Sequence, residues 1–159
     1  MAARGSHKLT EVPGVFARAK SIVIQAPPAE VYAYVADIPR HPEWACEPMK
    51  IEGLPSSSGG AARFRSTVHL MGITNHGEIR VVAEEPPHRF VYECTDTAGH
   101  YRWTMTLRAM GTGTELTQSA ERLEGPLWVR VIQPWLLWPL SGRRSVVKGL
   151  ANIKARLEA

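Results

Sequence analysis

The chain has 159 residues, 44% of them hydrophobic and 21% charged, with 19 lysines and arginines against 15 acidic residues and a net charge of +4. This composition excludes a disordered tail, and a chain of this length buries roughly 70% of the surface it exposes when unfolded, enough for a core without metal or disulfide staples. Most cations, from Arg18 to Arg108, are scattered singly with no basic stripe interleaved with aromatics, which excludes nucleic acid as a partner.

Cys46 and Cys94 lack CxxC spacing, and no charged-then-apolar leader with a cleavage site begins the chain, so a reducing cytoplasm is the expected location. Residues 1–16, opening MAARGSHK, are expected to be a flexible segment ahead of one domain at 17–159.

Residues 18–25 (RAKSIVIQ) end in the β-branched run Ile22, Val23, Ile24 and are stopped by Pro27 and Pro28, which predicts a first strand. A helix is expected to follow. Pro28 suits its first turn, Glu30 suits the positive end of its dipole, and Val31, Tyr32, Val35 and Ile38 recur at helical spacing. Asp37, Pro39, His41 and Pro42 then break the chain into a second short helical turn ending near Trp44.

From Met49 the period becomes that of an antiparallel meander, with strands expected at 49–54, 61–70, 77–84, 90–95, 101–109 and 115–124. The punctuation is PSSSGG at 55–60, Met71-Gly72, Pro86-Pro87, residues 96–99 and residues 111–113. Tyr101, Trp103, Met105 and Leu107 alternate with Arg102, Thr104, Thr106 and Arg108, so one face of the sheet is covered and the other wet. In 63–70 the apolar set is Phe64, Val68 and Leu70, against Arg63, Arg65, Thr67 and His69.

After Gly125 and Pro126 the helical period returns with Leu127, Val131, Ile132, Trp135 and Leu136. Pro134 and Pro139 each remove a backbone donor, so this segment is expected to be a kinked or broken helix, with Ser141-Gly142 a second weak point. The run 127–140 falls short of the roughly 20 apolar residues that cross a bilayer. Residues 143–158 then form an amphipathic helix, with Val146, Val147, Leu150, Ile153 and Leu157 opposed by Arg144, Lys148, Lys154 and Arg156.

The stretch SIVIQAPPAEVYAYVADIPRHPEW at 21–44, with Pro86-Pro87-His88-Arg89-Phe90 and Gly113-Thr114-Glu115-Leu116-Thr117, resembles the SRPBCC or START-like helix-grip superfamily. Within it, the sequence is similar to the polyketide cyclase/dehydrase and lipid-transport group over residues 18–159. The resemblance implies an α+β fold in which a curved antiparallel sheet of about seven strands wraps a long C-terminal helix, with two short helices after the first strand. It also implies a hydrophobic small-molecule ligand, whether lipid, quinone or aromatic polyketide, in an internal cavity between sheet and helix. Two further implied functions use that cavity: a polyketide cyclase, aromatase or dehydratase, and a membrane-docking quinone or lipid chaperone. Fold alone does not choose among them. The sequence carries no metal, nucleotide or flavin motif, so neither a cofactor nor a metal is expected.

The expected ligand-binding set is Phe64, Val68, Tyr92, Tyr101, Trp103, Met105 and Leu107 from the inner face, with Trp128, Ile132 and Trp135 from the last helices; the competing reading is a filled core. Three of the five tryptophans fall within 128–138. That segment reads as a lid hinged at its prolines and Gly142, as ordinary packing, as a dimer surface, or as a transient membrane contact over 127–148 aided by Arg143, Arg144 and Lys148.

Polar candidates for chemistry are Arg65, Thr67, His69, Glu78, His100 and Tyr101, of which Arg65, Thr67 and His69 lie opposite Phe64 and Val68 and are expected to face solvent. Tyr101 is the catalytic candidate, because it shares the apolar face and its hydroxyl needs a partner when buried. A satisfied core tyrosine is the alternative. Cys46 or Cys94 with His41 as a nucleophile pair, and His41, Glu43 and Cys46 as metal ligands, are set aside in favour of structural cysteines and solvated loop residues.

Overall fold

The computed structural model describes residues 17–56, 59–70 and 72–159, so the expected flexible segment at 1–16 lies outside the described residues. Strand β1 (Ala17–Ile24) leads into helix α1 (Pro28–Val35) and a 3-10 turn (Ile38–Glu43). Six strands follow: β2 (Met49–Leu54), β3 (Arg63–Leu70), β4 (Ile73–Glu85), β5 (Arg89–Asp96), β6 (Gly99–Met110) and β7 (Gly113–Glu124). The chain ends in α2 (Leu127–Ile132), a π-helical segment (Gln133–Gly142) and α3 (Arg143–Leu157).

The seven strands make one antiparallel sheet in the order β1-β7-β6-β5-β4-β3-β2, the curved sheet and C-terminal helix of the helix-grip fold. The β1–β2 connection carries α1 and the 3-10 turn, and α1 packs across β5, β6 and β7. Pro27 precedes α1 in an extended conformation and Pro28 opens it, where a missing N–H costs nothing.

Alternation sets the faces as the sequence implies. Phe90 pairs with Met105, Leu107 with Leu116, and Leu116 with Ile22, which lines up one continuous apolar face. Against it lie Val31 and Val35 of α1, Ile38, and Val146, Leu150 and Ile153 of α3, all essentially buried. Each such side chain contributes about 1.5–3 kcal/mol on burial.

The opposite face carries a cross-strand ladder of ion pairs, including Arg63 with Glu78 at 2.7 Å and Arg102 with Glu93 at 2.7 Å. Thr67 meets His76 at 3.2 Å and His69 meets Thr74 at 3.0 Å, which places both with the outward set. These polar cross-strand pairs also explain why β4 starts at Ile73 and not at residue 77. Thr74, Asn75 and His76 look like loop residues, yet partners on β3 and on Asp96 hold them in the ladder.

The largest departure concerns the C-terminal helix. It is neither broken at Pro134 and Pro139 nor interrupted at Ser141-Gly142: α2, the π-helical segment and α3 follow one another without a gap. Pro134 stands at the start of the π-helical segment and Pro139 inside it, where a wider turn eases the clash expected in an α-helix. Ser141 Oγ donates to the Leu137 carbonyl at 2.8 Å, so its hydroxyl is satisfied within the helix.

Candidate functional site

The concave face divides into two parts. Phe90, Tyr92, Met105, Leu107 and Leu116 are buried under α1 and α3 and form packed core. Ile51, Phe64, Val68, Val81, Tyr101 and Trp103 point to the same side, by alternation and register, yet stay only half-buried. A wall that faces inward without being sealed is how an apolar cleft looks when no side chain fills it. Trp103 stacks on Tyr92 with ring centroids 6.4 Å apart and planes 13° apart, so the wall joins the packed core directly.

Strand β7 brings polar groups to this face. Its inward positions are Thr114, Leu116, Gln118, Ala120 and Arg122, all buried. The Thr114 hydroxyl donates to the Ala26 carbonyl at 2.7 Å and is structural. Arg122 donates to the side-chain oxygen of Gln133, the first residue of the π-helical segment, and so ties sheet to helix. Gln118 is 4% exposed, and its Oε1 has no hydrogen-bond partner among the described residues. An unpaired buried acceptor of this kind costs about 1–3 kcal/mol, a penalty that a bound donor would remove.

Tyr101 stands opposite Arg122 and Cys94 on the neighbouring strands. Its hydroxyl donates to the Ala98 carbonyl at 3.3 Å, so the partner that burial demands is a turn carbonyl. Burial and the Asp96 carboxylate hold this hydroxyl above its ordinary pKa, with Arg122 pulling the other way.

The expected contributors from the last helices separate. Trp128 is 60% and Trp135 84% exposed, on the side of the helix away from the sheet, while Ile132 is half-buried. The tryptophan that packs against the core is Trp138, which the sequence reading did not select. A helical period of 3.6 sets Trp138 about 60° from Trp135, on the same side, whereas the π-helical turn rotates each residue less and separates the two. Gln118, Arg122 and Gln133 were also missed, although the β7 alternation contained the signal. Counting inward from Leu116 puts residues 118 and 122 in the buried phase whatever their polarity.

His41, expected in a solvated loop, is 2% exposed and lies 4.6 Å from the Trp44 ring and 5.2 Å from the Tyr92 ring by centroids. Its Nε2 donates to the Val35 carbonyl at 3.0 Å, and burial depresses its pKa to about 4. It is a neutral wedge between α1 and the sheet. Burial, reinforced by Asp96, pushes the Cys94 thiol up to about 12, and burial and Glu47 raise Cys46, so neither has thiolate character. No cluster of three metal-capable side chains occurs among the described residues.

A hollow of about 480 Å³ lined by Glu78, Arg80, Glu93, Thr95 and His100 lies on the convex face. Its central group is Glu93, whose carboxylate accepts from Arg102 Nη2 at 2.7 Å and from His100 Nε2 at 3.1 Å. Burial opposes ionisation there, but Arg102 and His100 outweigh it and hold the carboxyl below its ordinary value. The groups satisfy one another, and the hollow is charged where an apolar ligand needs a greasy wall.

The family described as polyketide cyclase/dehydrase and lipid transport matches residues 18–158, nearly all of the described chain. The chain belongs to that family. Its fold is also that of solved members of the wider superfamily. The Zhui aromatase/cyclase from Streptomyces superposes with a TM-score of 0.71 at 16% identity, covering 91% of this chain and 94% of that one. A START superfamily protein from Mycobacterium smegmatis gives 0.68 at 15% identity, covering 89% and 97%. The di-domain aromatase/cyclase StfQ of the steffimycin pathway gives 0.72 at 12% identity, covering 91% of this chain and 51% of that one. At these identities the likeness establishes the START-type fold and nothing finer. No curated protein matches the chain. Among the described residues, no helix is long and apolar enough to cross a membrane.

Proposed function

We propose that this family member binds a hydrophobic small molecule, a lipid, quinone or aromatic polyketide, between the half-buried wall of β2, β3 and β6 and the π-helical segment. The observation that carries this reading is the conjunction on one concave face of an unsealed apolar wall with Gln118, a buried amide whose oxygen lacks a partner. Phe64, Val68 and Trp103 would take the apolar body of the ligand, gaining about 25 cal/mol per Å² buried. Gln118, Arg122 and Tyr101 would orient its polar groups. The reading requires no metal or cofactor.

Native mass spectrometry of freshly purified protein, followed by solvent extraction, tests it. A stoichiometric apolar molecule is expected, and Phe64→Asp should abolish its retention while leaving the circular dichroism spectrum unchanged. An empty protein that also fails to enhance an apolar dye's fluorescence overturns the proposal.

A cyclase, aromatase or dehydratase would use the same cleft with Tyr101 as proton handler, and two of the solved relatives carry that description. For Tyr101 to act, an entering substrate must draw its hydroxyl from the Ala98 carbonyl. Tyr101→Phe should then remove turnover of an aromatic polyketide while preserving ligand retention; unchanged turnover removes Tyr101 from the chemistry.

A further inference from the structure

The outer side of the C-terminal helix is apolar where a helix of a globular protein is ordinarily polar. Leu127, Trp128, Val131, Trp135, Leu136 and Leu140 are each at least half exposed, with Trp135 at 84%. Their spacing of three to five residues stacks them on the side away from the sheet, while Val129, Gln133 and Trp138 take the opposite side and pack inward. A contiguous exposed patch of this size on a soluble surface marks a contact site.

The charge on the same helix selects the occupant. From Leu127 to Leu157 there is no aspartate or glutamate, while Arg130, Arg143, Arg144, Lys148, Lys154 and Arg156 are all present. Arg143, Arg144 and Lys148 are exposed and continue the outer side immediately beyond Leu140. A basic helix with tryptophan and leucine on an open face has the chemistry that lies in the headgroup layer of an anionic bilayer, rings at the interface and cations on phosphates. A second copy fits less well, since two such helices placed face to face offer no acidic group to meet either set of cations.

We infer that the outer face of residues 127–148 docks on an anionic phospholipid surface, lying in the interface plane and not crossing it. The run from Leu127 to Leu140 is about 20 Å long, and its prolines and arginine leave it too short and too polar to span. The surface does not depend on the ligand reading. Should both hold, docking sets the cleft against the bilayer, because the segment that turns Trp135 outward turns Trp138 onto the core.

The test is flotation of the full chain with vesicles of phosphatidylcholine alone and of phosphatidylcholine mixed with phosphatidylglycerol, with no added ligand. Binding is expected on the mixed vesicles, weakened by salt and much lower on the neutral ones. Trp135→Ser with Leu140→Ser should lower partitioning at least about tenfold by removing inserted apolar area. Arg143→Glu with Arg144→Glu should lower it about tenfold or more. All four positions are exposed, so the fold survives, as unchanged urea midpoints will verify. Lys50→Glu, on the convex face, should leave partitioning as it was. Three results each overturn the inference: a wild-type chain that stays in solution beside mixed vesicles at low salt, binding indifferent to both double variants, or a concentration-dependent dimer that Trp135→Ser dissociates.

Discussion

Arg122 on β7 and Gln133 on the C-terminal helix meet across the concave face, both buried, with the guanidinium donating to the amide oxygen. The bond fixes where the π-helical segment begins relative to the sheet. Gln133→Leu removes one acceptor from a buried cation and should cost about 1–3 kcal/mol in urea unfolding. Gln133→Glu keeps an acceptor and should cost less. Equal losses would mean that packing, and not this bond, secures the helix.

Gly142 tests the π-helical segment from its other end. An alanine in a helix interior ordinarily stabilises by about 1 kcal/mol over glycine. Here a Cβ would stand 2.6 Å from Cε3 of Trp138, a ring packed against the core, and such overpacking costs about 1–3 kcal/mol. The steric term is the larger, so Gly142→Ala should lower the urea midpoint and alter the near-ultraviolet circular dichroism of tryptophan. A stabilised variant would place Trp138 elsewhere.

Burial holds His41 neutral, with a folded pKa of about 4 against 6.5 for the free side chain. Below pH 6.5 the unfolded chain takes up a proton that the folded chain refuses, so stability is complete above that pH and declines as the pH falls toward 4. The full loss is about 3 kcal/mol. Glu93, whose pKa is depressed, adds its own loss only below the ordinary carboxylate range near 4.5. The interval from pH 6.5 to 5 therefore belongs to His41. Urea midpoints of wild type should slope downward there on acidification, and those of His41→Gln should be nearly flat; parallel slopes would assign the effect to other groups.

The order of elements was legible in the sequence because hydrophobic period and turn residues act locally. Ile22 to Ile24, the proline pair at 27 and 28 and the alternation in β6 each impose their element without tertiary help. Polar strand residues were not legible as strand, since Thr74 to His76 owe their place to partners on β3 and β5. The placement of the candidate site's residues was half legible. Phe64, Tyr92, Trp103, Met105 and Leu107 do share the concave face, while Trp128 and Trp135 face outward, because helical spacing groups Leu127, Val131, Trp135 and Leu136 on one side without saying which side meets the sheet. Gln118 and Arg122 are polar residues that alternation from Leu116 turns inward, as the cross-strand register of β6 and β7 shows.

Gln118 offers the sharpest separation of stability from binding. Its Oε1 is buried without a partner among the described residues, beside Met105 on one neighbouring strand and Lys20 on the other. Methionine has a similar volume and no acceptor to strand, so Gln118→Met should raise the stability of the empty protein by about 1 kcal/mol, the penalty for the unpaired oxygen being relieved. If that oxygen exists to receive a donor from the ligand, the same variant should retain the ligand at least about tenfold less well, as groups kept unsatisfied for function do. Urea unfolding of delipidated protein reads the first effect, and displacement of an apolar dye reads the second. A variant that is less stable and binds as before would make Gln118 a packing residue and leave orientation of the ligand to Arg122.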